Sequence, residues 1–317
     1  MQPIPITLLG RPFHRTEALA LGVSARVLEG RRFVRLHPRV YCHRDHVMSF
    51  DDTVAAGRLA LPADAHPTGT TRLQLLGLDV GPRSPLRFVV QRDLHLALDG
   101  IFLHRTVLLP PLDGTGVIPA AAYLAYCHRA RTIDAIAVGD WLMHQGHVDG
   151  DQLRALVGAQ DWRHGAAETG WVLDHLVGDS RSLRESEVRS VLTFAGLPAP
   201  DPNGPIELGG AVVHGDLWYA AHRTAVEYEG VHHQTERGQY VADIDRYALY
   251  RRYDVHYVQV TSEKLRSPRA VVREVHECLV RGGYTGPAPD FGRRWETLFA
   301  RLRDVVPRSR GRLRAVS

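Results

Sequence analysis

From residue 182 to residue 283 the sequence switches repeatedly between helical and strand spacing, and that ordered alternation limits the folds open to this chain more than any other feature. "SLRESEVRSVLTFAGLPAP" sets Val188, Val191, Leu192 and Ala195 on one helical face and closes at Gly196 and Pro198. "PIELGGAVVHGDLWY" reads as two strands joined at Gly209 and Gly210. "TAVEYEG" predicts a third strand, "ERGQYVADIDRYALYRRY" a helix and "DVHYVQVTS" a fourth strand. "SPRAVVREVHECLVRGG" predicts a last helix, capped by Ser267 with Pro268 at its first position. The expected order is αβββαβα, and the expected class is mixed α/β.

The third strand poses a chemical question. Side chains two apart on a strand share a face, so Glu227 and Glu229 point the same way, and like charges side by side cost free energy unless something positive sits between them. Asp216, expected at the end of the second strand, and Glu185, at the edge of the apolar stripe of the preceding helix, bring further carboxyls toward the same sheet. A hard divalent ion takes oxygen ligands, and Mg²⁺ suits one or two carboxylates, several waters and a phosphate oxygen. Such an ion offsets the repulsion, polarises a phosphodiester and lowers the pKa of a bound water. His233, four residues past Glu229 and beyond Gly230, is a candidate general base or acid. Plainer readings stand beside these: Asp216 capping a turn, Glu227 and Glu229 as an edge-strand charge pair, Glu185 favouring a helix dipole, and His233 as a packing or capping group.

With Asp216 followed by Glu227-Tyr228-Glu229, this order of elements resembles the PD-(D/E)XK endonuclease superfamily. More closely, "ESEVR", "AGLP", "GDLWY", "AVEYEGVHH", "TERGQYVADI" and "DVHYVQVT" are similar to a restriction-endonuclease-like domain of unknown function related to very-short-patch mismatch-repair endonucleases. The resemblance covers about residues 180 to 282. It implies a restriction-endonuclease-like fold and DNA cleavage dependent on Mg²⁺ or Mn²⁺. It also implies Asp216 and Glu227 as principal metal ligands, Glu185 as the helix carboxylate and His233 as the histidine after the glycine. Two positions depart from the pattern. Glu229 stands where the superfamily has lysine and this branch most often has Asp, and Gln259 stands where relatives often show Arg. Lys264, the only lysine, follows the fourth strand and is read as a loop residue. Asp243, Asp245 and Arg246 read as ion-pairing residues of the intervening helix, without a catalytic role.

Upstream, "HRTEALALGVSARVLEGRRFVRLHPRVYC" divides into a helix capped by Thr16 and ended by Gly22, a helix capped by Ser24 and ended by Gly30, and a two-stranded ribbon. This is a winged-helix pattern that would offer Arg26, Arg31, Arg32, Arg35 and Arg39 to DNA. "EALALGVSARVL" and "FVRLHPRVY" resemble the N-terminal domain of abortive-infection antitoxins of the AbiEi type. A second reading packs these helices on the next domain, away from DNA. The middle stretch, with a short helix in "TTRLQLLGLDV", a strand in "PLRFVVQR" and two helices in "IPAAAYLAYCHRARTIDAIAVGDWLMHQG", follows the same order of elements as that family. His128, His144 and His147 show no ligand spacing. The expected domains are 1–45 (winged helix), 46–178 (AbiEi-like middle α+β domain), 179–285 (endonuclease-like) and 286–317 (basic helix and tail).

Charge placement agrees with a polyanionic partner. Residues 1–45 and 286–317 each carry eight Arg against three acids, whereas the intervening stretch is net acidic within an overall charge of +4. A genome that writes Arg for Lys accounts for the Arg content but not for its clustering. With 44% apolar and 23% charged residues, no run of about 18 apolar residues and prolines interrupting the start, the chain reads as cytoplasmic and without a membrane span. Three scattered cysteines read as reduced thiols. Two functions follow as expectations. The first is a metal-dependent DNA endonuclease with an N-terminal DNA-binding module; the second is a non-catalytic antitoxin or transcriptional regulator that binds through a degenerate nuclease fold. DNA is the expected partner, with a toxin or repair protein as a further one.

Overall fold

The computed structural model describes residues 3–230 and 246–307. Helices and strands are mixed along the chain, in line with the α/β expectation. The chain divides into two compact units, Met1–Tyr126 and Cys127–Ser317. Among the described residues no helix is long and apolar enough to cross a membrane. The three cysteines are buried and form no disulfide.

The first unit begins with β1 (Phe13–His14), α1 (Arg15–Ala20), α2 (Ala25–Leu28), β2 (Phe33–His37) and β3 (Val40–His43). The strands form an antiparallel sheet in the order β1-β3-β2. The apolar positions read from the sequence converge here: Leu8, Phe13, Ala18, Val23, Leu28, Phe33 and Tyr41 make one buried cluster. The expected cap at Thr16 moves two residues back, because the ring nitrogen Nδ1 of His14 accepts the backbone N–H of Thr16. Gly22, at φ 82°, follows α1 as its role of helix stop requires. Arg39 turns the β2–β3 connection at φ 67°.

Farther on, α3 (Phe50–Ala60) starts with reciprocal bonds between Ser49 and Asp52, each 3.0 Å long. There follow β4 (His66–Pro67), α4 (Gly69–Gln74), β5 (Leu86–Val90), β6 (Ile101–Arg105) and α5 (Pro119–Cys127). The helix and strand expected from "TTRLQLLGLDV" and "PLRFVVQR" form as α4 and β5. A second sheet has the order β4-β5-β6, with β5 and β6 parallel.

Four helices open the second unit: α6 (Thr132–His144), α7 (Gly150–Ala159), α8 (Ala166–Val172) and α9 (Leu183–Phe194). Gly146, at φ 67°, follows the end of α6. Helices α6 and α9 pack together around a buried ion pair, Arg189 Nη2 to Asp140 Oδ2 at 2.7 Å. Asp140 also accepts the Val177 N–H at 2.6 Å. The predicted stripe of α9 is buried: Val188, Val191, Leu192 and Ala195 are all at most 1% exposed.

The sheet of this unit departs from the expected three consecutive strands. It contains β7 (Asp201–Pro202), β10 (Leu217–Tyr219), β11 (Thr224–Glu229) and β12 (His256–Thr261), in the order β12-β11-β10-β7. Between β7 and β10, β8 (Pro205–Leu208) and β9 (Ala211–His214) form a separate hairpin across Gly209 and Gly210, both at positive φ. The stretch read as one strand, 211–219, is thus broken at Gly215 and Asp216. Asp216 therefore precedes β10 and does not end a strand. Strands β11 and β12 are parallel, pairing Glu227 with Gln259 and Glu229 with Thr261. The chain between them includes helical residues 246–252, here α10.

After β12 come α11 (Ser262–Leu265) and α12 (Pro268–Arg281), the latter with Pro268 in its first turn as read. Lys264 therefore lies in a short helix capped by Thr261, where a loop was expected. The helix expected in 286–317 is divided into two short ones, α13 (Arg293–Thr297) and α14 (Leu302–Val305). The chain between them bonds to the start of α6, through Ile133 N–H to Leu298 O at 2.9 Å and Thr132 N–H to Ala300 O at 3.0 Å. These backbone bonds interrupt the helix while keeping Trp295, Leu298 and Leu302 buried.

Candidate functional site

Within the second unit Asp216 lies near two glutamates, Glu185 and Glu227, close enough for its charge to act on both. Strand β10 pairs Leu217 with Val226 of β11, and extending that antiparallel register by one residue sets Asp216 across from Glu227. Asp216 is half-buried, and its Oδ2 accepts the Tyr228 N–H at 2.7 Å, so this carboxylate is locked against the strand that carries the glutamates. Glu185 comes from the first turn of α9. Ser182 Oγ caps its N–H at 3.1 Å, and its own Oε2 accepts the Arg181 N–H at 2.9 Å.

Glu227 is the most buried of the acids, at 1% exposure. Its face of β11 also carries Ala225, which is covered by Ile206 of the hairpin and by Tyr247 and Tyr250 of α10. Tyr250 Oη donates to Glu227 Oε1 at 2.8 Å. The other oxygen, Oε2, accepts no hydrogen bond among the described residues, although Arg246 Nη2 lies 3.4 Å away. Room for this carboxylate depends on Gly215, since a Cβ there would sit 3.3 Å from Glu227 Oε1 and 3.2 Å from Ile206 Cδ1.

Burial and the charge of Asp216 disturb the ionisation of both glutamates. Burial first and the charge of Asp216 second push the Glu227 carboxyl up to about 7, against the opposing pull of Arg246 and Tyr250. The same two causes, in the same order, raise Glu185, opposed by its bonds to Arg181 and Ser182. Asp216 is thus the charge that both glutamates feel.

Glu229 lies farther along the strand and is half-buried. Its Oε1 accepts from Gln259 Nε2 at 2.7 Å and from Tyr247 Oη at 3.2 Å. The position where an arginine was looked for therefore supplies a neutral donor that orients Glu229. Lys264 turns elsewhere: its ammonium bonds Glu274 at 2.8 Å and the Gln259 carbonyl at 2.9 Å. His233 lies outside the described residues, as do Asp243 and Asp245. Among the described residues no group of three or more His, Cys, Asp or Glu is arranged as a ready-made metal cage.

In the first unit, Arg26 lies on α2, Arg31 and Arg32 precede β2, Arg35 is on β2, and Arg39 occupies the following turn. All are exposed except Arg32, which is half-buried. Arg44 Nε bonds the Arg31 carbonyl, adding a cation that the sequence reading did not select.

The residues that sequence reasoning missed around the acids are Tyr247, Tyr250 and Gly215. Their signal was present but weak: two tyrosines three apart on one helical face, and a glycine immediately before an aspartate. Comparisons with protein-family models, with curated proteins and with solved structures return no match.

Proposed function

We propose that the protein is a divalent-cation-dependent DNA endonuclease of the restriction-endonuclease-like kind, hydrolysing a phosphodiester with water. The observation that carries this reading is that Glu227, buried on β11, lies across from Asp216 in the break before β10, and that the charge of Asp216 also reaches Glu185 on α9. Burying negative charge beside negative charge is unfavourable without a compensating cation.

The residues suit Mg²⁺ or Mn²⁺: the donors are all oxygen, and Glu227 retains a buried oxygen that accepts no hydrogen bond among the described residues. Asp216 and Glu227 would hold the ion, with Glu185 beside them. When bound, such an ion supplies Lewis acidity toward a phosphate oxygen and a more acidic water. The chain's own residues do the positioning. The Tyr228 N–H fixes Asp216, the Tyr250 hydroxyl fixes one oxygen of Glu227, and Gln259 with Tyr247 fixes Glu229. Glu229, oriented and partly exposed, is the described group best able to accept a proton from an attacking water. The exposed arginines of the first unit, in the winged-helix pattern of AbiEi-type antitoxins, would supply phosphate contacts that hold DNA without reading its sequence.

A second reading, a DNA-binding antitoxin or regulator with a retired nuclease site, is favoured by one observation: Arg246 already lies beside Glu227. Nicking of supercoiled plasmid with Mn²⁺ or Mg²⁺ separates the two. The nuclease reading expects cleavage by the wild type and its loss in Asp216→Asn. DNA binding without cleavage under all conditions supports the regulator, and equal nicking by both proteins removes this site from the reaction.

A further inference from the structure

The sequence lacks a basic residue at both strand positions where the resemblance looks for one, yet the structure brings a guanidinium to Glu227, the most buried of the three acids of the site. Arg246 Nη2 stands 3.4 Å from Glu227 Oε2, the oxygen that accepts no hydrogen bond among the described residues. The other oxygen is committed to Tyr250 at 2.8 Å. Glu227 itself is 1% exposed, whereas the Arg246 side chain is 26% exposed, so the arginine reaches from a wetter region into a closed one. Its guanidinium also lies 5.6 Å from the centre of the Tyr247 ring, whose hydroxyl bonds Glu229. Arg246 is therefore in contact with both glutamate positions, directly with one and through Tyr247 with the other.

One carboxylate oxygen does not serve a guanidinium and a divalent cation together, because two positive charges at contact distance repel and both need the same lone pairs. We propose that Arg246 holds the Glu227 oxygen until a divalent cation enters, and that the displaced guanidinium then pairs with a phosphate of the bound DNA. The strands' missing basic group is thus supplied from α10. Arginine suits such an exchange: it stays charged, pairs with carboxylate and phosphate alike, and keeps its planar face on an aromatic ring as its partner changes. The exchange rests on the nuclease reading for the identity of the entering ion.

The test titrates the full-length protein with Mn²⁺ by calorimetry and measures affinity for a short DNA duplex in Ca²⁺ and in EDTA. It compares wild type with Arg246→Ala, Arg246→Lys and Asp216→Asn. Arg246→Ala is expected to bind Mn²⁺ about tenfold more tightly or better, on the scale of close charge pairs, while Arg246→Lys stays near wild type. The same Arg246→Ala protein should lose DNA affinity in Ca²⁺ and not in EDTA, where the guanidinium is already engaged. If Arg246→Ala fails to fold, Arg246→Gln keeps the length and the packing on Tyr247 and carries the same expectations. Unchanged or weaker Mn²⁺ binding on removing the arginine overturns the exchange. So does a DNA defect that is absent, or that is equal in Ca²⁺ and EDTA. In either case the nuclease reading stands if wild type binds Mn²⁺ and Asp216→Asn does not. Failure of both wild type and the Arg246 variants to bind Mn²⁺ overturns the reading and the exchange together.

Discussion

Glu227 is where burial and charge conflict most sharply, and its ionisation should be visible in stability. Its carboxyl is raised in the folded protein, so between the ordinary glutamate range and about 7 the folded state holds a proton that the unfolded chain has released. Stability from this group therefore falls as pH rises through that window, and the unfavourable contribution is complete above it. Glu227→Gln removes the penalty. It should melt higher than wild type at pH 8, by on the order of 1 to 3 kcal/mol, with the difference shrinking toward pH 5. A Glu227→Gln protein that is less stable at pH 8 would show that the Arg246 contact outweighs burial. Tyr250→Phe tests the neighbouring bond. Leaving Glu227 Oε1 without its hydroxyl donor should cost about 1 to 3 kcal/mol in denaturant unfolding. The sequence made Glu227 and Glu229 legible as one pair, because the period of two in a strand is a local property. Tyr250 and Arg246 were not legible as its partners, since that requires knowing how α10 docks on β11.

At the scale of elements, local punctuation was readable and sheet membership was not. Gly196, Gly209, Gly210 and Pro268 lie at the helix stop, hairpin turn and helix start expected of them, because each acts through its own backbone angles. The break at Gly215 was hidden in a continuous strand-like run. Its cause is non-local: the backbone passes over the Glu227 carboxylate and Ile206, leaving little space for a side chain. Gly215→Ala should accordingly destabilise the protein by about 1 to 3 kcal/mol, and Glu227→Ala in the same chain should recover part of that loss, measurable as a double-mutant cycle. The pairing of α6 with α9 was also unreadable, because Asp140 and Arg189 are far apart in sequence. Asp140→Ala strands a buried guanidinium and should cost about 3 to 5 kcal/mol in unfolding free energy. A cost below about 1 kcal/mol would mean that Arg189 finds another partner.

For the whole molecule, the sequence indicated basic ends around an acidic middle, and the first of those ends presents most of its selected arginines to solvent. If these groups grip phosphates, replacing Arg26, Arg35 and Arg39 together with Ala should weaken binding to all duplexes alike. It should also reduce the slope of log affinity against log salt by about 0.9 for each phosphate no longer neutralised. Weakening confined to one DNA sequence would assign these side chains to base reading. The mixed α/β class followed from hydrophobic period alone. The closeness of Asp216 to Glu185 and Glu227 depended on strand order, which period does not encode. The most direct measurement of the central claim is anomalous scattering from crystals of the full chain soaked in Mn²⁺. The account predicts a peak coordinated by Asp216 and Glu227, with Arg246 withdrawn from Glu227. No peak there, with Arg246 still against the carboxylate at saturating Mn²⁺, would contradict it.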